Sequence, residues 1–273
     1  MRNIIIFTDL DGTLLDHSTY SFEAAVPALN KIKEMNIPLV VCSSKTKREI
    51  ELYRQKLNNN HPFISENGGG IFIPKDYFRF EIADSGFKIV EIDNYLIIRL
   101  GAEYNELRNA IGELRKAGFK IMGFGDMTVE EISKLTGLDD QEAIMAKERD
   151  FDEPFVFEGN KEEMASLFES IRAKGLRHTQ GEFFHIIGDS DKGRAVKILI
   201  ELYRRLFNDL LTVAIGDSLN DVPMLEVVDY PIIVQRLKGN YDSQIKISNL
   251  IKAEGIGPIG WNNAILKILS VLN

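Results

Sequence analysis

Ile4-Ile5-Ile6-Phe7, running straight into Thr8-Asp9-Leu10-Asp11-Gly12-Thr13, decides the fold. Four apolar residues in a row, three of them β-branched and none alternating with polar ones, read as a strand buried on both faces, as in a parallel sheet. The same plan recurs downstream. Ile37 to Cys42 is a second buried run, closed by Ser43-Ser44-Lys45-Thr46, and Phe63-Ile64 is a third, closed by Glu66-Asn67-Gly68-Gly69-Gly70. Between them, Ala25, Leu29 and Ile32 share one stripe of a predicted helix over 22–34, and a second amphipathic helix is predicted over 47–57. A β-α-β-α-β rhythm of this kind builds a doubly wound sheet.

The rhythm changes in the middle of the chain and then returns. From 84 to 185 the strands are shorter and alternate, as in Tyr95 to Leu100 and Phe155-Val156-Phe157, with helices predicted over 104–117 and 161–174. A helix over 191–207, a buried strand from Leu211 to Ile215, the loop Asp217-Ser218-Leu219-Asn220-Asp221, a helical 222–227 and a strand over 232–234 follow. The predicted fold class is α/β: a doubly wound, mainly parallel sheet core with an inserted α+β cap domain. The core would comprise 1–83 and 187–273, and the cap 84–186.

Composition narrows the function. With 33 basic and 41 acidic residues, the net charge of −8 disfavours a nucleic-acid partner, because phosphate backbones need net positive surface. One cysteine, Cys42, cannot form an internal disulfide, as expected in a reducing compartment. No apolar run approaches the roughly 18 residues of a membrane span, and the N-terminus lacks a signal-peptide plan. The reading is a cytoplasmic enzyme without a membrane partner.

Two acidic loops each follow a buried strand, where ligands of open α/β sheets bind. If they share one crevice, Asp9, Asp11, Asp217 and Asp221 converge, and carboxylates that close need a cation to stay ionised. Oxygen-only donors favour magnesium over zinc. The four histidines, at 17, 61, 178 and 185, have no metal-ligand spacing. Gly-Asp-Ser occurs at 188–190 and 216–218, but only the second copy follows an apolar strand and carries another Asp four residues on. Asp16, Asp189 and Asp191 read as turn formers or helix caps. Lys192 opens a helix, where the dipole disfavours a cation, so an anion-binding role is the better reading. Lys45, close to Ser43, could meet a second anionic group, and Gly68 to Gly70 could bring backbone close to a substrate. Gly255, Gly257 and Gly260 match a dinucleotide fingerprint but read as an irregular loop after a helical stretch. Trp261 and the Phe183-Phe184 pair read as packing.

Asp9-Leu10-Asp11-Gly12-Thr13, Ser43 at a strand end, Lys192 in Asp191-Lys192-Gly193 and Gly216-Asp217-Ser218-Leu219-Asn220-Asp221 resemble, in order, the four motifs of the haloacid dehalogenase superfamily of phosphotransferases. The insert resembles the cap of its sugar phosphatases. A narrower resemblance, to the mannosyl-3-phosphoglycerate phosphatase family, spans almost the whole chain. It is carried by Ser43-Ser44-Lys45-Thr46, Phe63-Ile64-Ser65-Glu66-Asn67-Gly68-Gly69, Leu135-Thr136-Gly137-Leu138, Arg149-Asp150-Phe151-Asp152-Glu153-Pro154-Phe155, Gly181-Glu182-Phe183-Phe184-His185, Asp229-Tyr230-Pro231 and Gly257-Pro258-Ile259-Gly260-Trp261.

The resemblance implies magnesium-dependent hydrolysis of mannosyl-3-phosphoglycerate to mannosylglycerate through an aspartyl-phosphate. It makes Asp9 the nucleophile and, with Asp217, a side-chain metal ligand. Asp11 would bind metal through its backbone carbonyl and use its carboxyl as general acid and base; Asp221 would support the metal loop directly or through water. Ser43 and Lys192 would hold phosphoryl oxygens. Lys45, Arg149 and the amides of Gly68 to Gly70 are the available candidates to meet the glycerate carboxylate, and cap residues 149–153 and 179–185, His185 among them, would read the sugar. The insert would close as a lid over the crevice. Glucosyl-3-phosphoglycerate, a general sugar phosphate, or a phosphohexomutase reaction are the alternatives. A non-catalytic binder would have lost Asp9, Asp11 or Asp217.

Overall fold

The computed structural model describes residues 2–82 and 87–272. The chain begins β1 (Asn3–Thr8), α1 (Val26–Glu34), β2 (Leu39–Cys42), α2 (Lys47–Leu57), β3 (Phe63–Ser65), β4 (Gly70–Pro74), β5 (Lys88–Ile92) and β6 (Tyr95–Arg99). It continues α3 (Tyr104–Lys116), β7 (Ile121–Gly123), α4 (Val129–Thr136), α5 (Asp140–Lys147), β8 (Asp152–Phe157), α6 (Lys161–Ala173), β9 (Arg177–Gln180) and β10 (Phe184–Ile187). It ends α7 (Lys192–Arg204), β11 (Leu210–Gly216), α8 (Val222–Leu225), β12 (Tyr230–Gln235), β13 (Ile251–Ile256) and α9 (Pro258–Leu272).

Nine strands form one sheet in the order β13-β12-β11-β1-β2-β3-β4-β6-β5. The first six are parallel and the last three antiparallel. The apolar run of β1 behaves as its composition requires. Ile4 and Ile6 pack with Ile32, Trp261 and Ile265 on one face, and Ile5 and Phe7 with Val196, Leu199 and Leu225 on the other. The sheet is thus covered on both sides, which is the doubly wound arrangement expected. A second, antiparallel sheet, β7-β8-β10-β9, carries α3 to α6 and has its own apolar layer around Leu107, Ile111, Phe155 and Ile186.

The first boundary of the insert, between 83 and 84, lies outside the described residues. The strands that follow correct the sequence reading. β5 and β6, placed there in the cap, extend the core sheet, with Ile71, Phe72 and Ile73 of β4 paired to Ile98, Ile97 and Leu96 of β6. Alternation identifies an antiparallel strand with one wet face; it does not say which sheet the strand joins. The 255–260 segment also differs from expectation. Gly255 lies in β13 and Pro258 opens α9, so the triplet runs from a strand into a helix. A Cβ on Gly260 would stand 2.3 Å from the Gly255 carbonyl oxygen, so the glycines let the strand end and the helix start pack directly together. Helices α4 and α5 went unpredicted, although Thr128 with Glu131 and Asp139 with Glu142 form capping boxes at their starts. Trp261 packs, as expected, and its Nε1 also donates to Thr8 Oγ1 at 3.0 Å, one residue before Asp9.

His61, two residues before β3, is partly buried among polar partners. Its Nδ1 is 2.6 Å from Tyr77 Oη, and Arg54 donates to its carbonyl. Burial, then the Arg54 charge, push its pKa down to about 4. The unfolded chain takes up this proton near pH 6.5. Between pH 6.5 and 4 the unfolded state therefore holds more protons, and stability falls as pH falls through that window. Urea titrations of wild type and His61→Gln at several pH values should show a steeper acid loss in the wild type; parallel curves would remove His61 from the acid response.

Candidate active site

The register of the two central strands places the acids. Phe7 pairs with Ala214 and Thr8 with Ile215, so the chain leaves β1 at Asp9 beside the point where β11 delivers Asp217. The Asp9 amide donates to the Ile215 carbonyl at 3.0 Å and locks that adjacency. One oxygen from each of Asp9, Asp217 and Asp221 lies within 4.8 Å of the others. All three are buried, Asp9 at 5% exposure. Gly12, at φ +71°, makes the next turn in a conformation that L side chains rarely adopt, with its Cα facing the Asp217 carboxylate.

Lys192, 1% exposed, is the counter-charge. Its Nζ stands 2.7 Å from Asp9 Oδ1 and 2.6 Å from Asp221 Oδ1. The other Asp221 oxygen accepts the backbone N–H groups of Asp217 and Ser218 at 3.0 and 3.1 Å. Both Asp221 oxygens are therefore engaged in holding the loop and the lysine. Three carboxylates against one ammonium leave an excess of negative charge in a dry place. Burial pushes the Asp9 carboxyl well above the ordinary range, against the pull of Lys192, and burial with the neighbouring Asp221 pushes Asp217 up to about 7. A hard cation held by carboxylate oxygens resolves the imbalance, so these residues fit a divalent metal ion.

Asp11 stands outside that trio. Its Oδ1 is 3.2 Å from Lys45 Nζ, which also pairs with Glu49 at 3.3 Å and lies over the rings of Tyr20 and Tyr53. Ser43 is fully buried at the end of β2, where its Oγ accepts the Lys45 amide at 3.2 Å. Asp16 and Asp191 do cap a turn and α7: Asp16 accepts from the amides of Ser18 and Thr19, and Asp191 from that of Arg194.

Over this floor lies a cavity of about 340 Å³ between the sheet and the insert. Asp9, Asp11 and Asp217 form its base. Lys45 and Ser44 line it from the core, and Arg149, Gln180, Glu182 and His185 from the insert. Arg149 is pinned by an ion pair with Asp152 and donates to the Ser44 carbonyl at 3.1 Å. His185 Nδ1 is 2.9 Å from Asp152 Oδ2. Gly68 and Gly69 are not in this wall, which corrects their reading as substrate-facing backbone. A Cβ on Gly68 would stand 2.1 Å from the Asp191 carbonyl oxygen, and one on Gly69 2.2 Å from Phe151 Cβ. Their small size serves packing of the core on those segments.

Two residues, Arg236 and Glu66, escaped the sequence reading, and Asp152, set there among the sugar-facing residues 149–153, is fully buried. Arg236, one residue past β12, lines the cavity with its Nε 3.6 Å from Asp217 Oδ2. Its place at the carboxyl end of a buried strand was the available signal. Glu66 is fully buried and accepts the backbone N–H groups of Asp150, Phe151 and Asp152 at 3.0, 2.7 and 2.9 Å, fastening the insert to the core. Asp152, at the far end of that contact, gathers Arg149, His185 and Asn67. Among the described residues no helix is long and apolar enough to cross a membrane.

A family model described as haloacid dehalogenase-like hydrolase matches residues 6–240. A glucosyl-3-phosphoglycerate/mannosyl-3-phosphoglycerate phosphatase of Methanococcoides burtonii is 51% identical over 271 residues, covering 98% of this chain and 98% of its own. A relative of the same name from Persephonella marina is 46% identical, covering 98% of this chain and 97% of its own. Among solved structures, protein 0175 of Thermoplasma acidophilum matches with a TM-score of 0.70 at 18% identity, covering 99% of this chain and 100% of that one, a likeness of fold.

Replacing Lys192 by Met should lower stability by about 3–5 kcal/mol, because it leaves buried carboxylates without their partner. Magnesium should then restore more stability to the variant than it adds to the wild type. Urea unfolding with and without 10 mM magnesium (roughly saturating for such sites) measures both; an unchanged unfolding midpoint in the variant would contradict the charge argument.

Proposed function

The chain belongs to the haloacid dehalogenase-like hydrolases, and we propose that it removes phosphate from a hexosyl-3-phosphoglycerate, mannosyl and glucosyl forms alike. The observation that carries this reading is the buried Asp9–Lys192–Asp217 floor opening into a cavity that holds further cations, Lys45, Arg149 and Arg236. A phosphomonoester needs the floor; a second anionic group on the same substrate needs the wall. The names of the two relatives point to the same substrates.

In the proposed mechanism Asp9 is the nucleophile. Lys192 holds its Oδ1, and the second oxygen bonds to phosphorus as the bond from phosphorus to the leaving alkoxide breaks. The Asp11 carboxyl gives its proton to that alkoxide, releasing the glycosylglycerate. The same group then takes a proton from water, whose oxygen attacks the aspartyl-phosphate, freeing inorganic phosphate and restoring Asp9. Ser43 and Lys192 serve the phosphoryl oxygens. Asp9, Asp217 and the Asp11 backbone carbonyl would hold magnesium, which supplies positive charge that offsets repulsion between nucleophile and phosphoryl group. Asp221, with both oxygens engaged, acts on the loop and on Lys192.

Arg236, with a side chain 44% exposed, is the cavity cation with most freedom to move, and with Lys45 it is the proposed carboxylate clamp. Gln180, Glu182 and His185 face the sugar. The insert, hung on the linkers before α3 and after β10, closes as a lid that keeps water from the intermediate until product leaves. A small phosphorylated substrate and a buried lone thiol, Cys42, suit a cytoplasmic setting.

Two measurements test this reading. Asp9→Asn should lose phosphate release by roughly a thousandfold or more while keeping its unfolding midpoint; activity above a tenth of wild type would exclude Asp9 as nucleophile. The two glycosyl phosphoglycerates should have kcat/KM within about tenfold of each other, and mannose 6-phosphate about a hundredfold lower, the value of one charged hydrogen bond of about 2–3 kcal/mol. Equal turnover of mannose 6-phosphate would return the assignment to a general sugar phosphatase.

A further inference from the structure

Two buried asparagines, 153 positions apart, join the insert to the acidic loop. Asp152, the first residue of β8, accepts from Asn67 Nδ2 at 2.8 Å. Asn67 Oδ1 accepts from Asn220 Nδ2 at 3.0 Å, and Asn220 Oδ1 accepts from Ser218 Oγ at 2.7 Å. We propose that Asn67 and Asn220 are positioning residues that couple docking of the insert to the geometry of the metal-binding loop. The proposal rests on the reading of Asp9 and Asp217 as metal ligands.

Three features support a directed link over incidental packing. The order of donors along the chain is forced. Burial works against the Asp152 charge, yet Arg149 and His185 hold its carboxyl below the usual range, so it offers acceptors only. Asn67 must then turn its NH₂ toward Asp152, which leaves its carbonyl for Asn220. Asn220 in turn keeps its carbonyl for Ser218. Flipping either amide would set buried acceptors against each other, at about 1–3 kcal/mol for each group left unpaired.

The backbone at Asn67 is also special. It holds φ 55° and ψ 33°, a left-handed conformation that asparagine tolerates better than most residues, and its amide donates to the Ser43 carbonyl at 3.1 Å. One residue therefore touches the second phosphate-binding motif, the insert and the acidic loop.

Finally, the insert also approaches Asn220 directly. The turn between β9 and β10 places Gly181 so that a Cβ would stand 3.3 Å from Asn220 Nδ2. Asn220 lies between Asp217 and Asp221, so displacing it disturbs the loop that holds both. By linkage, if docking of the insert favours the metal-competent loop, metal favours docking equally.

The test is calorimetric titration of magnesium into three variants, with urea unfolding beside it. Asn67→Gly removes the amide without left-handed strain. Asn67→Asp keeps the shape but sets a carboxylate against Asp152. Arg48→Ala breaks an exposed core–insert ion pair with Glu148 that involves neither asparagine. Both Asn67 variants should bind magnesium about tenfold more weakly, within the usual range of coupling, and Arg48→Ala should bind as wild type does. Unchanged magnesium affinity in Asn67→Asp, with only a lower urea midpoint, would reduce the link to structure and overturn the proposal. Equal weakening by Arg48→Ala would overturn it too, by making any loosening of the insert sufficient. A wild-type chain that takes up no magnesium would refute the metal reading itself, and the coupling with it.

Discussion

A single ammonium group among three buried carboxylates is the constraint on which this structure turns. Lys192 is fixed by Asp9 and Asp221, and Asp221 fixes the backbone of Asp217. Burying such a set is costly unless each charge is paired and hydrogen-bonded. The fold meets that demand with a parallel pairing. β1 and β11 emerge side by side, and the N-terminal turn of α7 brings Lys192 beneath both. The excess negative charge that remains suits a divalent cation and, above it, a phosphoryl group whose oxygens need positive partners.

The insert is held by the same economy of buried polar groups. Glu66 accepts three consecutive backbone amides at Asp150 to Asp152, and Arg149 reaches back to the Ser44 carbonyl. Glu66 and Asn67 both hold positive φ, 49° and 55°. Consecutive non-glycine residues in that region carry strain, and such strain persists only where the surroundings over-determine it. Here the surroundings are Asp150 to Asp152 of the insert and Asn220 of the acidic loop. The turn after β3 is thus bent into an unfavourable shape so that its side chains can grip the insert.

What the sequence disclosed and what it hid follow from range. Asp9, Asp11 and Asp217 were legible because each sits in or beside a loop closing an apolar run, and the run itself is a local signal. Lys192 was legible because a cation at a helix start contradicts the dipole. Arg236 obeys the same carboxyl-end rule as Asp217 but follows a strand whose bounds were drawn short, so it went unnoticed. Glu66 could not be read locally: its partners lie about 85 positions away in sequence, and nothing in a glutamate after a strand foretells three amides from the insert. Gly68 and Gly69 misled for a related reason. A glycine marks a close approach, but the neighbour, here Asp191 and Phe151, appears only in three dimensions. The β5–β6 hairpin misled because alternation reports a wet face and not the identity of the partner strand.

Under the proposed function one site would serve two epimers, and the lining of the cavity suits that reading. Mannose and glucose differ in the configuration of one hydroxyl. A site rejects an epimer strongly only when it buries a polar group that the wrong sugar leaves unpaired. The groups that line the insert side, Gln180, Glu182 and His185, alternate with Phe124, Leu138 and Phe183 in a cavity open to solvent. Gln180 and Glu182 are exposed and can turn to water, so they lose little when a hydroxyl moves away, whereas His185 is buried and held by Asp152. The two anionic groups have no such latitude, because Lys192 is walled in and Lys45 is held by Asp11 and Glu49. On that reading, discrimination would be concentrated on the charges at one end of the substrate and relaxed at the sugar, where the exposed Gln180 and Glu182 can follow a displaced hydroxyl.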